Sequence, residues 1–188
     1  IDDLIDIKPL VKLTLEVIAA LVLIYFGISV DIIRLPLGIQ IDTGIISFIF
    51  TIIWVAGITN AVNLIDGLDG LAVGVSSIAA ITMLAVALLT GNMPIAITMA
   101  ALAGACIGFM PYNLNPAKIF MGDTGSLFLG GAVAGLAFAC EMPLILLLVG
   151  LIYIIETLSV ILQVTYFKAT HGKRLVKMAP IHHHFEMC

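Results

Sequence analysis

The chain has 188 residues, of which 62% are hydrophobic and only 11% are charged, and its mean hydropathy is +1.22. An ordinary soluble domain has about a quarter of its residues charged, so this composition favours a membrane protein over a soluble one. The net charge of −4 says little about partners, because the charged residues are confined to short stretches between apolar runs. The three cysteines have neither a disulfide nor a CxxC metal spacing, and we interpret them as small core residues.

Six apolar runs approach the roughly 20 residues that a helix needs to cross a bilayer. Continuous apolar runs favour helices over the alternating strands of a membrane barrel. The sequence therefore predicts an all-α, polytopic transmembrane helix bundle, formed as a single membrane domain over residues 1–188. The predicted spans are 10–29, 43–58, 71–90, 94–109, 127–140 and 144–167. The chain begins at Ile1 and ends in HHHFEMC without a closing span, so we expect a fragment of a longer protein.

Six spans place alternate connectors on opposite sides of the membrane. One side receives residues 1–9, 59–70, 110–126 and 168–188, and the other receives 30–42, 91–93 and 141–143. The first set and its adjoining helix ends carry seven of the eight basic residues, and the second carries only Arg34. The positive-inside rule therefore predicts that the first set faces the cytoplasm. The same side receives the aspartates and histidines discussed next.

The opening segment IDDLID holds Asp2 and Asp3 side by side, with Asp6 following one helical turn later. Carboxylates this close raise one another's pKa unless a cation lies between them, and Mg²⁺ prefers such oxygen ligands. A solvated acidic loop at a helix start is an equally acceptable interpretation.

The segment NLIDGLDGLA (63–72) spaces Asp66 and Asp69 three residues apart, which would place both on one helical face, with glycines that allow a ligand to approach closely. Such a strip can present acceptors to sugar hydroxyls or to a base edge. The alternative is a glycine-rich turn capped by the aspartates.

The segment FMGDTGS (120–126) places Asp123 immediately before a span, where backbone amides at the helix start bind anions. Asp123 is thus a candidate metal ligand beside a phosphate. Phe120 could stack on a planar base, or could simply anchor the helix at the interface.

The tail carries His182, His183 and His184, of which at most two can line one pocket because adjacent side chains diverge. Imidazoles titrate near neutral pH and can neutralise or protonate a phosphate oxygen. Within the sixth span, Glu156 and Gln163 lie two turns apart on nearly the same face. They form either a polar stripe towards the cytoplasmic loops or a buried contact between helices.

These motifs together resemble the polyprenyl-phosphate N-acetylhexosamine-1-phosphate transferase superfamily, whose members move a sugar 1-phosphate from a UDP-sugar to a lipid phosphate in the bacterial cytoplasmic membrane. The resemblance implies a ten-helix protein, of which this chain would supply the fourth to ninth helices and the histidine loop. It further implies an Mg²⁺ cofactor on Asp123 and catalytic roles for Asp2, Asp3, Asp123 and His182. The substrate-binding residues it implies are Lys12, Asn63, Asp66, Asp69, Asn113, Phe120, Gln163 and His183.

Within this superfamily, the string PIHHHFE (180–186) resembles the branch that transfers phospho-N-acetylmuramoyl-pentapeptide from UDP to undecaprenyl phosphate, giving lipid I and UMP for peptidoglycan biosynthesis. Ile65 instead resembles the branch that uses UDP-N-acetylglucosamine, which is the alternative donor. The expected partners are these two substrates and the lipid bilayer, with no nucleic acid; a homodimer is left open. The rival outside this class is a cation transporter, which the end-of-helix placement of the aspartates disfavours.

Overall fold

In the computed structural model, residues 8–29, 32–34, 40–44 and 46–188 are described, with only the backbone given for 32–34 and 40–42. These residues form a helical bundle with one short pair of strands. In chain order the elements are α1 (Pro9–Tyr25), β1 (Ile32–Arg34), β2 (Gln40–Asp42), α2 (Ile46–Ile65), α3 (Leu71–Leu89), α4 (Met93–Asn113), α5 (Gly122–Ala139), α6 (Pro143–Val149), α7 (Leu151–Ala169) and α8 (Ile181–Glu186).

The predicted helical bundle is confirmed, and each predicted span coincides with helical structure. Four helices, α2, α3, α4 and α7, are long and apolar enough to cross a membrane. Helices α1 and α5 have 17 and 18 residues and are not among these four. The count of six crossings, and the single domain over residues 1–188, stay predictions.

The sixth predicted span is not one continuous helix, because it is divided at Gly150 into α6 and α7. A Cβ atom on Gly150 would lie 2.8 Å from the carbonyl oxygen of Leu146 and as close to the ring of Tyr153. The break therefore requires glycine, a constraint of packing that hydropathy does not reveal.

The connector between α1 and α2 holds a feature that the all-α prediction missed. Strands β1 and β2 pair in antiparallel fashion, with Ile33 opposite Ile41. Three residues per strand are too few for an alternating pattern to stand out in the sequence.

Small residues allow the helices to pack closely, as is usual in membranes. Helices α2 and α5 approach closely, since a Cβ atom on Gly130 would lie only 2.7 Å from the Cα atom of Thr59. The core between the helices includes Val62, Val73 and Val133, all fully buried. Large apolar side chains such as Leu89 are exposed on the outside, as expected of a surface that faces lipid.

The connectors that were predicted to share a side of the membrane do meet at one end of the bundle. Lys12 near the start of α1 contacts Asp123 at the start of α5, and the residues after α2 contact the residues after α4. At the opposite end, Asn92 after α3 donates to the carbonyl oxygen of Ala139 at the end of α5. For the described residues these contacts agree with the alternation of connectors derived from the sequence, while the six crossings and the side of the membrane stay predictions.

Candidate functional site

Asp123 joins three helices at this end of the bundle. It lies in the first turn of α5, where a carboxylate is favoured by the helix dipole. The Lys12 ammonium on α1 forms an ion pair with Asp123 Oδ2, and Asn63 Nδ2 on α2 donates to Asp123 Oδ1 at 2.8 Å. Lys12, Asn63 and Asp123, singled out separately in the sequence, are thus direct neighbours.

Asp66 is half-buried, immediately after the last residue of α2. Burial, together with the nearby negative charge of Asp123, raises the pKa of its carboxyl to about 6, although the Gly122 backbone N–H donates to it and opposes the rise. Two carboxylates therefore lie near each other, and a positive charge between them would be stabilising.

The prediction that Asp66 and Asp69 share one helical face is wrong. Residues 66–70 form a turn between α2 and α3, hereafter the aspartate turn, which ends at Gly70 in the left-handed region with φ +78°. Asp69 Oδ2 accepts from the Ala117 N–H at 2.9 Å and from Asn115 Nδ2 at 3.2 Å. A glycine-rich turn, as in the alternative from the sequence, is the observed structure, although the aspartates bond to neighbouring segments and do not cap the turn itself.

Asn113 is buried and holds the same turn from the end of α4. Its Oδ1 accepts from the Gly70 N–H at 3.1 Å, and its Nδ2 donates to the Ile119 carbonyl at 3.1 Å. Asp69 and Asn113 therefore both fix the connector 114–121 against the aspartate turn. The substrate-binding roles implied for them stay predictions.

His182 and His183 both face the aspartate turn from α8. A Cβ atom on Gly67 would lie 2.9 Å from His182 Nε2 and 3.1 Å from His183 Nε2, so only glycine leaves room for both rings. His184 points elsewhere and accepts from the Lys177 N–H through Nδ1 at 3.2 Å. His182 and His183 thus face the same turn and His184 does not, in agreement with the prediction that at most two of the three line one pocket.

A polar stripe on α7 holds the histidine-bearing tail. Gln163 Oε1 accepts from the N–H groups of Leu175 and Val176 at 3.0 and 3.1 Å. Nearer the start of α7, the buried Glu156 contacts His182. Gln163 thus reaches the loop, whereas Glu156 makes a buried contact between two helices, α7 and α8, so each of the two interpretations holds for one residue.

Ser159 belongs to this stripe and was missed in the sequence. Its Oγ accepts from the Ile181 N–H at 3.0 Å. The signal was available, because Ser159 lies between Glu156 and Gln163 at helical spacing in an otherwise apolar span.

Glu16 and Asn60 form a second polar contact that sequence reasoning missed. Asn60 Nδ2 donates to Glu16 Oε2 at 2.6 Å, one turn deeper in the bundle than the contact between Lys12 and Asp123. Glu16 lies four residues after Lys12, and Asn60 lies three before Asn63, so helical spacing could have linked the pairs.

Phe120 is the predicted residue whose placement says least about function. It is 73% exposed and lines an apolar pocket with Phe109 and Phe128. Stacking on a base and anchoring in the membrane interface both stay open.

Asp2 and Asp3 lie outside the described residues, as does Asp6. Within the described ranges, no group of three or more histidine, cysteine or carboxylate side chains is arranged to hold a metal by itself. The described site thus combines one ammonium, two neighbouring carboxylates and two imidazoles. Such a set can neutralise and orient phosphate groups, and can exchange protons with them.

Comparison with known proteins identifies the family. Residues 1–141 match the glycosyl transferase family 4. A phospho-N-acetylmuramoyl-pentapeptide-transferase from Clostridium botulinum (strain Eklund 17B / Type B) is 48% identical over 189 residues, covering 99% of this chain and 58% of that protein. The proteins of the same name from Clostridium perfringens (strain 13 / Type A) and Listeria welshimeri are 54% and 49% identical over 163 and 164 residues. These matches cover 86% and 87% of this chain and 50% and 51% of those proteins, so the chain spans about half the length of the curated relatives it matches. The chain belongs to glycosyl transferase family 4.

Proposed function

We propose that the complete protein transfers phospho-N-acetylmuramoyl-pentapeptide from its UDP-linked donor to undecaprenyl phosphate, giving lipid I and UMP. The observation that carries this proposal is the meeting of Lys12, Asn63, Asp66 and Asp123 at one end of the bundle, with His182 and His183 on the adjoining turn. The names of the relatives from Clostridium and Listeria support the same activity.

The reaction needs little covalent help from the protein. An oxygen of the lipid phosphate attacks the phosphorus next to the sugar, and the bond from that phosphorus to the bridging oxygen breaks, so that UMP departs. Catalysis of such a transfer depends on positioning and on neutralising charge. Lys12 provides a positive charge for the phosphates, and His182 and His183 can hold or donate protons beside them.

The donor set fits Mg²⁺ as the cofactor. Asp66 and Asp123 bring two carboxylates close together, and Mg²⁺ binds through one or two carboxylates, completing its ligands with substrate phosphates and water. Asp123 would hold the ion, which when bound would stabilise charge developing on the phosphates. Asp2 and Asp3 belong to the proposed site by resemblance alone, and their choice between base and nucleophile stays open.

We place this site on the cytoplasmic side of the bacterial inner membrane. The support is the excess of basic residues in the connectors at the same end as Asp123. A cation transporter is less well supported, because the described aspartates lie at helix ends and Glu156, the exception from the sequence, contacts His182.

The identity of the UDP-sugar donor is the most specific part of the proposal. The argument for UDP-N-acetylglucosamine rests on Ile65, but this side chain is fully buried in the core, so its identity should discriminate weakly between donors. The histidine tail favours the muramoyl-pentapeptide donor. A site that pairs polar groups with its substrate rejects analogues more strongly than an apolar contact does.

The experiment is product analysis with the complete purified protein, undecaprenyl phosphate and Mg²⁺, with both UDP-sugars at equal concentration. We expect lipid-linked muramoyl-pentapeptide as the main product. A clear preference for UDP-N-acetylglucosamine would overturn the donor assignment and leave the reaction class intact.

A further inference from the structure

Glu156 is a carboxylate buried within a membrane-spanning helix, where an ionisable group is costly unless it serves a partner. It is 1% exposed, and its partner is His182, which is 6% exposed. His182 Nδ1 lies 3.1 Å from Glu156 Oε2. The same oxygen accepts from the His182 backbone N–H at 3.3 Å, so Glu156 contacts both the ring and the backbone of this residue.

Ser159 completes this attachment one turn along α7. It accepts from the N–H of Ile181, the first residue of α8, and donates to the carbonyl of Glu156. Helix α8 has no cap from its own preceding residue, Pro180. Glu156 and Ser159 therefore supply the acceptors that the first N–H groups of α8 need.

The opposite edge of the His182 ring faces the aspartate turn. Both ring nitrogens are buried, and neither makes a well-aligned hydrogen bond with the described residues; Nδ1 lies at ion-pair distance from Glu156 Oε2. Nε2 lies next to Gly67, on the side where the proposed phosphates would bind. One nitrogen thus faces a carboxylate and the other faces the site.

A carboxylate beside one nitrogen of a histidine fixes the tautomer of the ring. We propose that Glu156 is a positioning residue that keeps the proton on Nδ1 of His182 and so leaves Nε2 to exchange a proton with the phosphate substrates. This proposal rests on the proposed function for the identity of the substrate, although the tautomer itself does not depend on it.

The charges around His182 define what a pH profile should show. Burial lowers the pKa of His182, the carboxylates of Glu156 and Glu186 raise it, and His183 lowers it. Removing the negative charge of Glu156 must therefore lower the pKa of His182 further, and the limb of the pH profile that His182 controls must move to lower pH.

The informative variant is Glu156→Gln in the complete protein, because the amide keeps the size and an acceptor but loses the charge. The amide can also turn its NH₂ group towards Nδ1, which would favour the wrong tautomer. We expect kcat to fall by roughly 100-fold or more, because a positioned general acid or base contributes roughly 10²- to 10⁴-fold, with the KM for the UDP-sugar changed less than about twofold. We expect the His182 limb to move to lower pH.

Two further variants separate positioning from simple capping. Ser159→Ala removes the acceptor for Ile181 and leaves the ring contact, so we expect the His182 limb to stay in place. Thr157→Ala is the matched control, since this hydroxyl bonds the carbonyl of Tyr153 within its own helix and should change neither kcat nor the limb. Thermal unfolding of each variant identifies any failure to fold, in which case Glu156→Asp replaces Glu156→Gln.

Nitrogen NMR of labelled histidine in the complete protein gives a readout besides activity, with the His182 signal assigned by its loss in His182→Asn. We expect the proton on Nδ1 in the unsubstituted protein and a shift of population towards Nε2 in Glu156→Gln. Unchanged kcat and tautomer in Glu156→Gln would overturn the proposal, as would equal losses in Glu156→Gln and Ser159→Ala with the limb unmoved. A complete protein that is inactive with every UDP-sugar would overturn the proposed function, while the NMR result would still decide the role of Glu156.

Discussion

Gly67 is the residue at which the histidine-bearing helix meets the aspartate turn. His182 is held from behind by Glu156, so its ring cannot simply move away from an added methyl group. We expect Gly67→Ala to lower turnover at least about tenfold, since overpacking of this kind costs about 1–3 kcal/mol and displaces side chains. Turnover of the complete protein under saturating donor is the measurement.

The control for this substitution is Gly74→Ala on α3, where an added Cβ atom meets nothing within 4 Å. It should leave turnover unchanged. Equal turnover of the Gly67→Ala and unsubstituted proteins would show that the two histidines need not approach this turn.

Asp123 carries the prediction about the metal. We expect Asp123→Asn to abolish most Mg²⁺-dependent turnover, because a neutral amide is a poor ligand for a hard cation. We also expect chelation of Mg²⁺ to abolish the turnover of the unsubstituted protein. Titration of activity with Mg²⁺ measures both. Near-normal turnover of Asp123→Asn at limiting Mg²⁺ would mean that another residue holds the ion.

At this scale the sequence predicted the residue types better than their contacts. Asn63 and Asp123 were identified from separate motifs, and they form a hydrogen bond. The divergence of Asp66 and Asp69 was not predicted, because Gly67 and Gly70 interrupt the helix that the spacing of three residues assumed. Ser159 was missed because a serine in an apolar span is common when seen alone.

At the scale of the elements, the packing of α2 on α5 positions Asn63 against Asp123. Gly130 allows this approach, since its Cβ atom would lie 2.7 Å from Thr59 Cα and 3.0 Å from the Thr59 carbonyl oxygen. Backbone atoms cannot give way as a side chain can. We expect Gly130→Ala to lower the free energy of unfolding by about 1–3 kcal/mol, measured by denaturation in detergent.

The neighbouring Gly131→Ala is the matched control, because its Cβ atom would make ordinary contact with Thr59 Oγ1 at 3.7 Å. It should leave the free energy of unfolding nearly unchanged. If both substitutions destabilised the protein equally, the loss would come from the helix itself and not from its contact with α2.

Hydropathy located the helices but not their interruptions. The apolar run over 144–167 reads as one span, but the chain divides at Gly150, where a Cβ atom would meet the Tyr153 ring and the Leu146 carbonyl oxygen. The start of α4 is easier to anticipate, since Asn92 as its N-cap and Pro94 in its first turn are ordinary start signals.

At the scale of the whole molecule, the alternation of connectors decides which groups can meet. The contacts at the two ends of the bundle agree with the predicted alternation for the described helices, and the six crossings from which it was derived stay a prediction. The facing direction is a further step that depends on the basic residues.

Cysteine labelling tests that direction. In a complete protein lacking its native cysteines, we expect Lys118→Cys to react with an impermeant thiol reagent only from the cytoplasmic side and Met93→Cys only from the opposite side. Both positions are exposed; Met93 is the first residue of α4, and Lys118 lies in the connector that follows its last residue. The reverse pattern would place the candidate site outside the cell.

The central claim is that this site breaks the bond between the two phosphates of a UDP-sugar and not the bond between the sugar and its phosphate. The direct measurement follows radioactive phosphorus from UDP-N-acetylmuramoyl-pentapeptide, labelled in one sample next to the uridine and in another next to the sugar, during turnover by the complete protein with undecaprenyl phosphate. We predict that the label next to the sugar enters the lipid and that the label next to the uridine is released as UMP. Release of both labels as UDP, with an unlabelled lipid-linked sugar, would contradict the account.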